Sequence, residues 1–103
     1  MNGMTGMSGN RTMLTAESKP RVGPGFRLQW EPAQECHVLL YPEGMVRLNG
    51  SAGEIMKRCD GERSVAAIVA DLEQAFDTTG LEPEVRGFVE MAAQQNWLRW
   101  DPA

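Results

Sequence analysis

Met45-Val46-Arg47-Leu48-Asn49-Gly50-Ser51-Ala52-Gly53-Glu54-Ile55-Met56 is the stretch on which the fold turns, because the spacing of its apolar residues changes part-way along. From Met45 to Asn49 apolar and polar side chains alternate, with Val46 and Leu48 on one face, the period-two pattern of a half-buried strand. From Ser51 onward Ala52, Ile55, Met56 and Cys59 recur at helical spacing. Ser51 and Glu54 stand three apart, as in a capping box in which each side chain satisfies the other's free backbone N–H. Gly61 lies where a helix ends in a left-handed residue. The chain therefore passes from sheet to helix at residues 49–51.

Working outward, the upstream side is strand-like. Phe26-Arg27-Leu28-Gln29-Trp30 alternates, and the polar stretch from Glu31 to Glu35, containing Pro32, has the length of a hairpin connection. Cys36 to Tyr41 is nearly all apolar, as a strand covered on both faces would be, and Pro42-Glu43-Gly44 has turn chemistry: Pro fixes φ and Gly permits positive φ. The downstream side is helical. Ser64 caps a second helix carrying Val65, Ile68, Val69, Leu72 and Phe76 on one face, which stops in Asp77-Thr78-Thr79-Gly80. A third begins at Pro83, favoured in a first turn because the missing N–H had no partner there. Its apolar stripe is Val85, Phe88, Val89 and Ala92, and Asn96 is a left-handed stop before a short extended piece, Trp97 to Trp100. This order predicts an α+β domain: a three-stranded antiparallel sheet followed by a three-helix cluster, winged-helix-turn-helix-like in arrangement.

Residues 1–25 differ in kind. They hold five glycines, two prolines and four of the seven methionines, with Leu14, Ala16 and Val22 as the other apolar side chains. So little apolar surface does not offset an ordering entropy of roughly 1–2 kcal/mol per residue, and the segment reads as a flexible tail or linker ahead of a domain at 26–103. The whole chain has 103 residues and a formal net charge of −4. Setting the segment aside leaves seven basic and thirteen acidic side chains, net −6, on the domain.

That balance weighs against nucleic acid. The third helix would enter a major groove in the winged-helix alternative, a DNA-binding regulator, with phosphate contacts made by Lys and Arg. Residues 82–96 carry Glu82, Glu84 and Glu90 against the single cation Arg86. No apolar run approaches the ~20 residues of a membrane span, and no secretory signal opens the chain. Cys36 and Cys59 read as buried, reduced thiols of a cytoplasmic protein. Catalytic material is poor as well. His37, the one histidine, adjoins Cys36 on a strand, where neighbours point to opposite faces, and one His with two separated Cys does not make a metal site. Neither an enzyme nor a cofactor is expected.

What remains is action through a partner. Met45 to Asn49 ends the meander and leaves one row of backbone N–H and C=O groups open, guarded only by Arg47. Beside it the third helix would present Val85, Phe88, Val89 and Ala92, forming a strand-and-helix groove for an extended peptide that adds as a further strand.

Leu39-Leu40-Tyr41-Pro42-Glu43-Gly44, Leu48-Asn49-Gly50-Ser51-Ala52-Gly53-Glu54-Ile55 and Cys59-Asp60-Gly61 with Ser64-Val65-Ala66-Ala67-Ile68-Val69 closely resemble the PqqD family of pyrroloquinoline quinone biosynthesis. The likeness runs on through Glu84-Val85 and Phe88-Val89 to Trp97-Leu98. It implies the recognition domain used by pathways that modify ribosomally made peptides, acting as a chaperone that binds the precursor PqqA and presents it to the radical S-adenosylmethionine enzyme PqqE. The implied seat is the third strand, Met45, Val46, Arg47, Leu48 and Asn49, and the third helix, Val85, Phe88, Val89, Ala92 and Ala93. Some members are fused behind the preceding pathway enzyme, PqqC, which would make residues 1–25 a former linker. The chain departs from its relatives at Glu84, where Asp is usual, at Val89 and Ala92 in place of a Leu-rich stripe, and at Asn96 in place of Gly.

Overall fold

The computed structural model describes residues 13–102. Alternation and turn chemistry yield an antiparallel meander of β2 (Arg27–Glu31), β3 (Cys36–Tyr41) and β4 (Gly44–Arg47) in the order β2-β3-β4, as expected. Leu39 pairs with Leu28 on one side and Val46 on the other, so these three share the face that meets the helices. Val38 lies on the opposite face between Gln29 and Arg47, its cross-strand partners, and is buried beside them. β3 is covered on both faces only at these two residues; Cys36 and Leu40 are half-buried rather than enclosed.

The helices are α1 (Gly50–Met56), α2 (Val65–Ala75) and α3 (Glu82–Gln94). α1 starts earlier than the capping-box reading has it. Asn49 is the N-cap, its Oδ1 accepting the Ala52 N–H at 2.8 Å, while Ser51 donates its hydroxyl to the same oxygen. Glu54 is thereby free of any capping duty and faces Arg58. α1 packs closely on β3 because Gly53 has no side chain; a Cβ there would come within 3.0 Å of His37 Nδ1. α2 is capped by Ser64 Oγ, which accepts the Ala67 N–H at 3.1 Å. Phe76, expected on the buried stripe, is the C-cap of α2, where the chain leaves the core, and is 53% exposed. α3 carries Pro83 in its first turn and ends in Asn96 at φ 66°.

The largest correction concerns residues 13–25. Leu14 is 3% exposed and Ser18 and Pro20 are also buried. Arg21–Val22 forms a strand, β1, paired antiparallel with β5 (Leu98–Arg99). The physical reason lies in backbone bonding together with the burial of Leu14. The first amides of a helix have no partner within it, and the carbonyls of Ser18 and Ala16 accept the Val65 and Ala66 N–H groups of α2 at 2.8 and 3.0 Å. Arg86 donates to the Leu14 carbonyl at 2.9 Å, fastening the same strap to α3. Gly23 passes so close to the end of α3 that a Cβ would lie 2.4 Å from the Asn96 carbonyl oxygen. The tail expected at residues 1–12 lies outside the described residues.

One core joins these elements: Leu39 and Leu48 from the sheet, Ile55 and Met56 from α1, Ile68 and Leu72 from α2, Val85 and Val89 from α3, and Leu98 and Trp100 from the C-terminal piece. Cys59 belongs to it, and burial pushes its thiol up to about 12, so it stays protonated and unreactive. Between α1 and α2, Arg58 bonds Glu54 Oε1 at 2.8 Å and Asp71 Oδ2 at 2.5 Å.

Candidate functional site

β4 is the sheet edge that matters, and its backbone orientation follows from one bond. The Leu48 N–H donates to the His37 carbonyl at 3.0 Å. Hydrogen-bonded and open positions alternate along an antiparallel ladder, so Val46, two residues back and opposite Leu39, also turns its backbone groups toward β3. The N–H and C=O groups of Met45 and Arg47 then point away from the sheet. Among the described residues no strand or loop bonds to that outer edge.

Beside the edge runs a groove of about 350 Å³. Val46, Leu48 and Asn49 form its strand wall, Ser51, Ala52 and Ile55 of α1 its floor, and Glu84, Phe88 and Met91 of α3 the opposite wall, closed by Trp97. Each side chain is placed for a local reason. Residues 84, 88 and 91 follow at spacings of four and three, one stripe of a helix. Trp97 is brought round by the left-handed Asn96 and held by its own N–H on the Ala92 carbonyl at 2.9 Å. Its carbonyl accepts the Gly23 N–H at 2.8 Å, so the N-terminal strap grips this wall from behind.

Of the residues expected from the sequence, the structure brings together Val46, Arg47, Leu48, Asn49 and Phe88. Met45 contributes its backbone to the edge while its half-exposed side chain points to the other face of the sheet. Val85, Val89 and Ala92 are fully buried core residues, and Ala93 lines a separate hollow with Pro24 and Phe26. Sequence reasoning chose the stripe of α3 that faces the core, whereas the groove sees the adjacent stripe, Glu84-Phe88-Met91. Met91, three residues after Phe88 and outside the Val85-Val89-Ala92 stripe, was the available signal, and the structure leaves it and Trp97 at least partly exposed.

Glu84 stands on the helix side of the groove, whereas Arg47 lines it by its backbone, its side chain lying with Val38 on the other face of the sheet; among the described residues neither joins a salt bridge. Arg86, the single cation of α3, faces away, paired with Glu82 at 3.6 Å and with the strap. Among the described residues no cluster of His, Cys, Asp or Glu could hold a metal ion, and no helix is long and apolar enough to cross a membrane. Chemically the site offers open backbone groups, an apolar cleft and one carboxylate, the means of binding a polypeptide.

Fold and groove together define a class, a small α+β recognition domain with an open sheet edge beside an apolar cleft. Residues 36–98 match the family of coenzyme PQQ synthesis protein D (PqqD), and the chain belongs to that family. It is 55% identical over 88 residues to the PqqA binding protein of Pseudomonas aeruginosa (strain UCBPP-PA14), spanning 84% of this chain and 96% of that one. To the PqqA binding protein of Azotobacter vinelandii it is 53% identical over 85 residues, spanning 82% and 92%. The fold is similar to the solution structure of the PqqD truncation of Methylobacterium extorquens PqqCD, described as a functional and stand-alone RiPP recognition element. That likeness has a TM-score of 0.71 and 29% identity, covering 85% of this chain and 96% of that one. The family is non-catalytic, in agreement with the expectation from sequence.

Proposed function

We propose that this chain binds a PqqA-type precursor peptide as an added strand on the outer edge of β4 and presents it to the radical enzyme PqqE, working beside a PqqC-type enzyme in the cytoplasm. The observation that carries the reading is the outward row of Met45 and Arg47 backbone groups beside an apolar groove. Backbone bonds along that row supply affinity, and alternate side chains of the peptide drop into the groove between Val46 and Phe88 for selectivity. The names of the relatives support PqqA as the guest. The acidic third helix disfavours the DNA-binding alternative, whose affinity would fall steeply with salt.

The test is a titration of the isotope-labelled full chain with synthetic PqqA of Pseudomonas aeruginosa, followed by backbone amide shifts. Changes are expected at residues 45–49, at Glu84, Phe88 and Met91, and at Trp97, and they persist in high salt. Silence along Met45–Asn49 while other amides respond overturns strand addition; no response anywhere overturns PqqA binding.

A further inference from the structure

A second hollow, of about 400 Å³, opens between α1, α2 and the start of α3. It is within the range of ~300–1,000 Å³ of pockets that take small ligands. Its wall is almost wholly apolar, made by Ile55, Leu72, Leu81 and Val85, with Phe76 and Thr78 at the rim. Phe76, the C-cap of α2, is a large aromatic left more than half exposed beside it. The hollow adjoins the strand-edge groove, with Ser51, Ile55 and Glu84 lining both. A polypeptide leaving the edge of β4 at Asn49 and running on over Gly50 and Ser51, which also line the hollow, would reach it.

We infer that this hollow is an anchor subsite for the same precursor peptide, taking one bulky apolar side chain just beyond the strand-paired segment, on the side next to Asn49. The inference rests on the strand-addition reading and extends it. Adjacency to the groove points to the chain held at β4 as the occupant. Charge refines its chemistry. Glu84 stands between groove and hollow with no salt-bridge partner among the described residues, while Glu54, the other rim carboxylate, is already engaged by Arg58 and Lys57. A Lys or Arg next to the apolar anchor residue would complete Glu84.

Calorimetric titration of the full chain with synthetic Pseudomonas aeruginosa PqqA, and with copies in which each bulky apolar residue in turn is Ala, tests this. Thr78→Trp fills the hollow from an exposed position, and Phe76→Ala removes its rim without touching the core. Both are expected to weaken PqqA about tenfold or more, the order set by one buried apolar side chain, with circular dichroism and the amide shifts at 45–49 retained. One Ala-substituted peptide is expected to lose that much against the unaltered chain and nearly nothing against Thr78→Trp. Unchanged affinity in both variants overturns the subsite while strand addition stands, and failure of the unaltered chain to bind PqqA removes both. If the variants instead abolish a concentration-dependent dimer and leave peptide affinity alone, the occupant is a second copy and the inference is overturned.

Discussion

Asn49 shows how much one side chain decides. It follows the edge strand by two residues, caps α1 and lines the groove at once, because Gly50–Met56 begins directly after it and its Oδ1 takes the Ala52 N–H. The Ser51–Glu54 pair suggested a cap two residues later because the same residue types occur there at the same spacing. What selects Asn49 is its extended backbone, φ −71° and ψ 177°, just where the strand gives out. Asn49→Ala is expected to cost about 1 kcal/mol, the usual loss of an N-cap, lowering Tm by ~4–8 °C in a domain of this size. Ser51→Ala, which leaves the Ala52 N–H satisfied, is expected to lower it much less. Thermal unfolding followed by circular dichroism compares them, and a larger loss for Ser51→Ala would contradict the cap assignment.

At the scale of elements, the joint between α1 and α2 is electrostatic. The hydrogen bond from Arg58 is the main reason that Glu54 and Asp71 both hold their carboxyls below the usual range. Groups whose folded values are depressed stabilise the fold above their unfolded values, and that contribution disappears as pH falls through them. The Arg58 joint is therefore complete at neutral pH, weakens below ~pH 5 and is gone in strong acid. Arg58→Met is expected to lower Tm by a few degrees at pH 7 and by progressively less toward pH 3; a gap independent of pH would show that Arg58 acts only through packing. Elements of this kind were legible where period and punctuation agree: the three-strand meander, Ser64 before α2, Pro83 at the start of α3 and Asn96 after it. The groove was legible on its strand side, because an edge follows from being last in a meander. On the helix side it was not. Val85, Val89 and Ala92 share an apolar arc with Phe88, and only packing tells which edge of that arc faces the core.

For the whole molecule, the N-terminal strap matters most, and beyond Leu14 and Val22 it had little side-chain signal to read. Its bonds to α2 are made by the carbonyls of Ala16 and Ser18, which every residue type possesses, and β1 and β5 are each two residues long, too short for a period to register. Yet the strap seals Leu14 into the core, completes the first turn of α2, and holds Trp97 at the groove through the Gly23 N–H. Strap, core and peptide groove are thus one cooperative unit rather than a domain with a dispensable leader. A chain beginning at Gly23 would leave the Val65 and Ala66 amides without acceptors and uncover Leu98. It is expected to unfold at a markedly lower urea concentration, and Leu14→Ala in the full chain to cost ~2–5 kcal/mol, as loss of a buried leucine does. Hydrogen exchange localises the effect: the Val65 and Ala66 amides, protected in the full chain, should exchange rapidly in the shortened one under conditions where β3 stays protected. Equal protection in both would mean that α2 closes its own first turn, and the strap would return to the status of a linker.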